Sequence, residues 1–188
     1  MPRLLKVLIG CEFSGVVREA FRAKGHDAWS CDLLPNDSMY HFQEDVREVI
    51  ESQGWDLAIF HPPCTRLTVA GARWFKGREQ EQAEAIEFCE TLWDSDIPRI
   101  ALENPIGVLS TRSRLGKPTQ IVQPWQFGHG EVKATCLWLK NLPKLTPTNI
   151  VEGRHARVHR ESPGPDRWKR RSITLTGIAN AMAEQWGQ

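Results

Sequence analysis

The feature that most constrains the fold is a series of short, almost continuously apolar runs that alternate with helical patterns. Residues 4–9 and 55–60 form two such runs, and the second ends abruptly at Pro62-Pro63. A run that is apolar at nearly every position is typical of a parallel strand that is buried on both faces. Residues 16–23 and 78–93 instead place apolar side chains at helical spacing. The alternation predicts an α/β fold, with a mostly parallel sheet and helices on both faces.

The remaining elements fit into one domain, because 188 residues can bury one substantial core but are few for two. Three further strands and a last helix are predicted at residues 28–31, 99–102, 135–139 and 177–186. Prolines between Pro143 and Pro165 indicate a long irregular stretch before that helix. We therefore expect residues 1–188 to form a single domain, in which residues 142–171 are an irregular basic segment.

Composition disfavours membrane proteins and disulfide-rich or metal-binding proteins. No apolar run approaches the roughly 20 residues that span a bilayer. The apolar stretch within residues 1–10 is interrupted by Lys6, so we interpret it as a first strand rather than a signal peptide. The five cysteines are widely spaced and never form a C-x-x-C pair, which predicts neither a disulfide framework nor a metal site. We expect a soluble, cytoplasmic protein with no membrane partner.

Polar and reactive residues that could take part in binding or catalysis follow the predicted strands. Glu12-Phe13-Ser14-Gly15 comes after the first strand, and Asp32 comes after the second. Pro62-Pro63-Cys64 ends the third run, and Glu103-Asn104-Pro105 ends the next. Ligands of open α/β sheets bind outside the carboxyl ends of the strands. We therefore expect these four groups to line one edge of the sheet.

The first two of these groups indicate an adenosine-containing cofactor. A tight turn with a glycine lets the backbone approach a ligand, and a carboxylate about twenty residues later can accept both hydroxyls of a ribose. The dinucleotide fingerprint G-x-G-x-x-G is absent, since Gly10 and Gly15 stand alone. This counts against a nicotinamide or flavin cofactor. The alternative is that Asp32 is only a helix cap or turn residue.

Cys64 and Glu103 are the two groups that methylation of carbon 5 of cytosine requires. That carbon is a poor nucleophile until a thiolate adds to C6 and an acid protonates N3. Pro62-Pro63 imposes an extended, rigid approach, which would hold Cys64 beside the cofactor edge. Either residue taken alone is better explained as a buried thiol after a proline turn or as a glutamate at a strand end.

In this order, the groups resemble the motifs of the DNA cytosine-5 methyltransferases. Phe13-Ser14-Gly15 is similar to the cofactor-binding F-x-G motif, and Pro63-Cys64 to the catalytic Pro-Cys. Glu103-Asn104-Pro105 resembles the motif whose glutamate holds the target base. Residues 176–181 resemble the G-N motif, whose helix packs beside the cofactor. The resemblance implies a Rossmann-like methyltransferase fold that uses S-adenosyl-L-methionine.

The resemblance also implies roles for individual residues. Cys64 would be the nucleophile and Glu103 the group that holds the ring. Asp32 would bind the ribose and Asp45 the adenine amine. The full set of implied cofactor-binding residues is Phe13, Ser14, Gly15, Asp32, Leu33, Asp45 and Pro63.

Three departures from the family's pattern bear on the substrate. The second glycine of F-x-G-x-G is replaced by Val17, and the Q-x-R-x-R motif has no clear match, with Lys133 as a possible stand-in. The large target-recognition domain is absent, and residues 142–171 occupy its place. The chain thus resembles a pared-down catalytic domain of the kind common in phage and prophage genes.

The segment that replaces the recognition domain is basic, with seven Lys/Arg residues between Arg154 and Arg171. Such a block suits phosphate contacts, although a solvated basic loop explains it equally well. Trp168 is either a stacking or wedge residue for a flipped base or an anchor for the loop. The predicted substrate-binding residues are Arg66, Asn104, Pro105, Lys133, Trp168, Arg170 and Arg171.

Three functions remain open from the sequence. The first is methylation of C5 of cytosine in DNA with short or relaxed sequence specificity, through a covalent bond between Cys64 and C6. The second is the same chemistry on another pyrimidine substrate, such as RNA, single-stranded DNA or a nucleotide. The third is a non-catalytic relative that binds cofactor or nucleic acid and needs a partner. A homodimer or a targeting partner is compatible with each of them.

Overall fold

A seven-stranded sheet forms the centre of the computed structural model, which describes residues 2–188. Its strands are β1 Lys6–Gly10, β2 Asp27–Cys31, β3 His41–Phe42, β4 Leu57–Phe60, β5 Ile100–Pro105, β6 Gln120–Val122 and β7 Thr135–Lys140. Their order across the sheet is β3-β2-β1-β4-β5-β7-β6. Strands β1 to β5 pair in parallel, and β7 lies antiparallel between β5 and β6.

Helices cover both faces of this sheet. They are α1 Val16–Ala23, α2 Val46–Ser52, α3 Glu79–Trp93, α4 Leu109–Arg112, α5 Arg167–Ser172 and α6 Thr176–Trp186. Helices α1 and α6 pack against one face, while α2, α3 and α4 pack against the other. The predicted α/β fold, with a mostly parallel sheet between two helical layers, is confirmed.

Strand β1 shows why the strands are apolar at nearly every position. Val7 and Ile9 pack on the α1 and α6 side, whereas Leu8 packs on the opposite side with α2 and α3. All three side chains are fully buried. Because burial of one such side chain contributes about 1.5–3 kcal/mol, a strand between two helical layers requires apolar residues on both faces.

The predicted element boundaries differ from the observed ones mainly at β5. The prediction ends this strand at residue 102, but it continues through Glu103, Asn104 and Pro105 because these residues pair with β7. Strand β1 begins at Lys6, and Leu4 is exposed. The short elements β3, β6, α2 and α4 were not predicted, since two to seven residues are too few to establish a periodicity.

The basic segment is irregular for most of its length but not at its end. Residues 142–166 contain no helix or strand, apart from isolated bridges at Asn149 and His155. The prediction of an irregular stretch through residue 171 is wrong at α5, where Lys and Arg residues favour a short helix. The backbone N–H of Gly128 donates to the Asn149 carbonyl at 2.8 Å, so the segment is tied to the body of the protein.

Residues 2–188, the described part of the chain, contain neither a membrane-spanning helix nor a metal-binding cluster. None of its helices combines the length and the apolar character that crossing a bilayer requires. No three His, Cys, Asp or Glu side chains in it converge in a way that could hold a metal ion.

Candidate active site

The predicted groups converge at the carboxyl edge of the sheet. Strand order reverses between β1 and β4, and the loops that follow these two strands flank a crevice of the kind that binds ligands in open α/β sheets. Phe60 at the end of β4 is in register with Leu102 of β5. Because β5 is longer than β4 at this edge, Glu103 lies beside His61, the first residue after β4.

His61 and Glu103 form the central contact of the site. Nδ1 of His61 lies 2.5 Å from Oε2 of Glu103, and the two side chains are only 11% and 15% exposed. Burial alone would lower the pKa of His61, but the Glu103 carboxylate outweighs it and the pKa is raised. Burial alone would raise the pKa of Glu103, but His61 outweighs it and the pKa is lowered. Both directions favour an imidazolium–carboxylate pair.

The sequence prediction missed His61. Its only signal was its position as a polar residue between a buried strand and Pro62-Pro63. Its partner, Glu103, is 42 residues further along the chain. A contact over that separation depends on the pairing of β4 with β5, which the sequence alone does not specify.

Cys64 lies in a tight turn directly after the two prolines. Its carbonyl accepts hydrogen bonds from the backbone N–H groups of Leu67 and Thr68, both at 2.9 Å. The residue is partly buried and its thiol is free. Burial raises the pKa of the thiol, and the negative charge of Glu103 raises it further, whereas Lys133 and Arg171 lower it. In this arrangement the protonated thiol is the resting form.

Asn104 and Gly107 hold the Cys64 turn against β5. The Asn104 amide donates from Nδ2 to the Pro62 carbonyl at 3.1 Å, and its buried Oδ1 has no partner within the described residues. A Cβ on Gly107 would lie 1.9 Å from the carbonyl oxygen of Leu67. The backbone N–H of Val108 donates to the same oxygen at 2.8 Å. The two loops therefore pack backbone against backbone, beside Pro105.

Lys133 reaches the site from the residues that precede β7. Its Nζ donates to the Arg171 carbonyl at 2.9 Å, and its charge acts on His61, Cys64 and Glu103. A cavity of about 10 Å³ adjoins Glu103, Lys133 and Thr174, which is room for about one water molecule. The structure thus brings the predicted stand-in cation together with the predicted nucleophile and acid.

Helix α5 brings the basic segment to the same edge. The Trp168 ring is edge-on to Phe13, with 6.5 Å between ring centroids, and Trp168 remains 54% exposed. Nε of Arg171 is buried without a partner in residues 2–188. Arg170 points elsewhere, since its Nε donates to Glu161 at 2.7 Å. Adjacent arginines of one short helix therefore have different surroundings.

The loop after β1 is organised by Glu12 and Arg18. The buried Glu12 carboxylate accepts from the backbone N–H groups of Val17 at 2.7 Å and Arg18 at 3.3 Å, which caps α1. Gly15 has φ 75°, and a Cβ there would lie 2.3 Å from the Arg18 guanidinium. Ser14 lies in the same turn, and its Oγ is 3.5 Å from the Glu12 carboxylate. The turn is rigid and needs glycine at residue 15.

The predicted cofactor carboxylates have different partners. Oδ1 of Asp32 accepts from the backbone N–H of Leu34 at 2.8 Å, and burial raises the pKa of Asp32. Leu33 beside it is 72% exposed. Asp45 instead caps α2 and accepts from the backbone N–H and Nε of Arg47, both at 2.9 Å. Hydrogen bonds from the Arg47 side chain and backbone lower the pKa of Asp45.

Arg66 is a second predicted substrate-binding residue, after Arg170, that points away from the crevice. Nε of Arg66 donates to the Glu81 carboxylate on α3 at 2.6 Å. The Arg66 carbonyl accepts from the Gln82 side chain at 2.9 Å, so residue 66 fastens the Cys64 loop to α3.

Comparisons with known proteins relate the chain to methyltransferases at the level of fold. No protein-family model matches the sequence, and no curated protein matches it. A crystal structure from E. coli, described as a candidate DNA modification methyltransferase encoded within a prophage, has a similar fold with a TM-score of 0.52 and 16% sequence identity. The similarity covers 85% of this chain and 55% of the E. coli chain, so this chain spans about half the length of that neighbour. The fold is the Rossmann-like fold of methyltransferases.

Proposed function

We propose that the protein is an S-adenosyl-L-methionine-dependent DNA methyltransferase that acts on C5 of cytosine through Cys64. One observation carries this proposal. Cys64, Glu103 and Lys133 lie close enough at the carboxyl edge of a methyltransferase fold for their charges to act on one another. The E. coli neighbour is described as a candidate DNA modification enzyme, which supports the coarser assignment of a methyltransferase that modifies DNA.

The loops after β1 and β2 fit the adenosine part of the cofactor. The turn at Gly15 leaves Phe13 and Ser14 partly exposed just before α1, while Gly15 itself is buried against the Arg18 guanidinium. Asp32 uses Oδ1 for Leu34, which leaves Oδ2 for the ribose hydroxyls. Leu33 offers apolar surface for the adenine ring. Asp45 would have to exchange its contact with Arg47 for the adenine amine.

In this proposal the residues of the chain prepare the ring, and the bound cofactor supplies an electrophilic methyl group. The Cys64 thiolate adds to C6, while Glu103 holds N3 and delivers a proton to it. The charge of Lys133 beside both residues favours the thiolate and the carboxylate. Asn104 fixes the distance between these two groups through the Pro62 carbonyl.

DNA is the substrate that the basic segment favours. Trp168 and Arg171 of α5 stand at the crevice, and Arg154, Arg160 and Lys169 add positive charge to the same segment. Lys and Arg residues in such a block neutralise phosphates, and an exposed aromatic ring can stack on a base that leaves the helix.

Trapping on modified DNA tests the nucleophile. With S-adenosyl-L-methionine present, duplex DNA that contains 5-fluorocytosine should form a covalent adduct with the wild type, because fluorine replaces the C5 proton whose loss releases the enzyme. Cys64→Ala should form none, as judged by denaturing gels and mass spectrometry. Cys89→Ala, a control on α3 outside the crevice, should form the adduct like the wild type. An adduct with Cys64→Ala would show that another group attacks the ring.

The substrate class is tested by digestion and mass analysis of DNA from cells that express the protein. Appearance of 5-methylcytosine supports the proposal and gives its sequence context. Methyl transfer to RNA or to cytidine nucleotides, but not to DNA, would favour the same chemistry on another pyrimidine. Binding of S-adenosyl-L-methionine without transfer to any of these would favour a non-catalytic relative that needs a partner.

A further inference from the structure

His61 is a nearly buried histidine that the proposed methyl transfer does not use directly. Its backbone N–H donates to the Gly10 carbonyl at 2.9 Å, so the residue is held between β1 and β5. Nδ1 contacts Glu103, while Nε2 is buried and lacks a hydrogen-bond partner within residues 2–188. A buried polar atom without a partner is destabilising, and such sites require an explanation.

The charges around His61 come from three directions. Glu103 on β5 and Glu12 after β1 act on it as carboxylates, and Lys133 before β7 acts on it as a cation. Two negative charges against one positive charge favour a protonated imidazole. The contact with Glu103 uses Oε2, and Oε1 accepts no hydrogen bond from the described residues. The pair therefore has one carboxylate oxygen committed to His61 and one available to a ligand.

We propose that His61 is a positioning residue that orients Glu103 and stores the proton that Glu103 delivers to the target ring. This inference rests on the proposed function. The hydrogen bond from Nδ1 to Oε2 fixes the carboxyl plane, so that Oε1 faces the crevice. It also gives the pair one transferable proton, which is carried by either the imidazole or the carboxyl group.

Protons and electrons balance as follows. Before the reaction the pair is neutral overall, as imidazolium with carboxylate or as imidazole with a carboxyl group. Donation to ring N3 leaves a neutral imidazole, a carboxylate and a ring with one positive charge. The Cys64 thiol releases its proton to solvent, and the electron pair of the resulting thiolate forms the S–C6 bond. The C5–C6 π electrons shift to the C4–C5 bond, and the C4–N3 π electrons return to N3. The resulting adduct is neutral and rich in electrons at C5.

The His61–Glu103 pair of the wild type and Glu103 without His61 should lose the transferable proton at different pH values. In the wild type the proton is lost as pH rises through the raised pKa of His61, so methyl transfer should persist to neutral pH and fall above it. Without an imidazole, the proton resides on Glu103, whose ordinary pKa is about 4.3. Burial raises that pKa and Lys133 lowers it, so the loss of activity should begin at lower pH.

His61→Asn separates the two proposed roles of His61, which are to orient Glu103 and to store a proton. The asparagine amide N–H can replace Nδ1–H as the donor to Glu103 but cannot store a proton. We expect kcat at pH 7.5 to fall about 100-fold, the lower end of what one positioned proton donor contributes. The alkaline limb of the pH profile should move to lower pH, with little change in KM for DNA. His26→Asn, a control at the opposite edge of the sheet, should leave the alkaline limb unchanged. An unchanged limb in His61→Asn would overturn the inference.

Nitrogen-15 NMR of histidine-labelled wild type keeps the test independent of how the variant folds. The protein has six histidines, and His61 should be an imidazolium at pH 7 that loses its proton above the usual range. A neutral His61 beside an ionised Glu103 at pH 7 would overturn proton storage even if DNA is methylated. Conversely, an imidazolium at residue 61 in a protein that methylates no pyrimidine would show that the proposed function has failed while the charged pair exists.

Discussion

Cys64 has surroundings that oppose its ionisation at rest. Burial and the Glu103 carboxylate both raise the pKa of the thiol, and the cations Lys133 and Arg171 only partly offset them. A thiol must become a thiolate to attack a ring. Because Glu103 gives up its negative charge when it carries a proton, protonation of Glu103 and ionisation of Cys64 favour each other. The same proton that prepares the ring therefore also favours the nucleophile.

The two adjacent arginines of α5, Arg170 and Arg171, allow the effect of nearby charge on the pKa of Cys64 to be tested. Arg171→Ala removes a positive charge from beside Cys64, so the pKa of the thiol should rise further and the thiolate fraction at pH 8 should fall. The measurement is the rate of Cys64 alkylation by iodoacetamide, followed by mass spectrometry of its peptide. Arg170→Ala should leave the rate unchanged, because Arg170 is paired with Glu161. Equal rates in the two variants would contradict a role for Arg171 at the site.

At the level of residues, the sequence identified chemical groups better than their partners. Cys64 and Glu103 were predicted from the strands that they follow, and the structure brings them to one edge. The commitment of Asp45 to Arg47 and the pairing of His61 with Glu103 were not predicted. Both contacts depend on side-chain geometry and strand register, which residue order does not specify.

At the scale of elements, apolar patterning predicted the central strands and the longer helices. The strands are buried on both faces and therefore need apolar residues at nearly every position, whereas the helices need them at helical spacing. The short elements escaped prediction, and α5 forms inside a segment that was expected to be irregular. Its position depends on distant contacts, such as the hydrogen bond of Lys133 to the Arg171 carbonyl and the packing of Trp168 on Phe13. Local sequence carries no signal for contacts of this kind.

The contact between the loops after β4 and β5 gives a prediction at this scale. Gly107→Ala would place a Cβ 1.9 Å from the Leu67 carbonyl oxygen, so the loops must separate. We expect a loss of about 1–3 kcal/mol in the free energy of unfolding, measured with urea, because overpacking at rigid backbone is costly. Methyl transfer should also fall, because the Cys64 turn shifts relative to Glu103. Gly54→Ala is the matched control, since nothing lies within 4 Å of its Cβ, and it should leave stability nearly unchanged.

At the scale of the whole molecule, charge is nearly balanced but unevenly distributed. The net charge is +1, yet residues 154–171 of the basic segment carry seven Lys/Arg residues, and the segment folds onto the body beside the crevice. Three of its arginines, Arg157, Arg160 and Arg170, line an open groove of about 610 Å³. Phosphates of a bound duplex would supply the negative charge that Glu161 now supplies to Arg157 and Arg170. Under the proposed function, the segment contacts phosphates in place of a recognition domain, which implies little sequence selectivity.

Salt dependence of DNA binding measures this contribution directly. Replacing Arg160 and Arg170 together with Ala should weaken binding at low salt and reduce the slope of log K against log salt by about 2, since each phosphate contact contributes about 0.9. Arg3→Ala with Arg114→Ala removes the same charge from residues paired with Asp56 and Asp94, away from the groove. That control should keep the wild-type slope, because counterions are released only where arginine meets phosphate. If both double variants lose the same slope, net charge rather than the groove governs binding, and the DNA surface lies elsewhere on the protein.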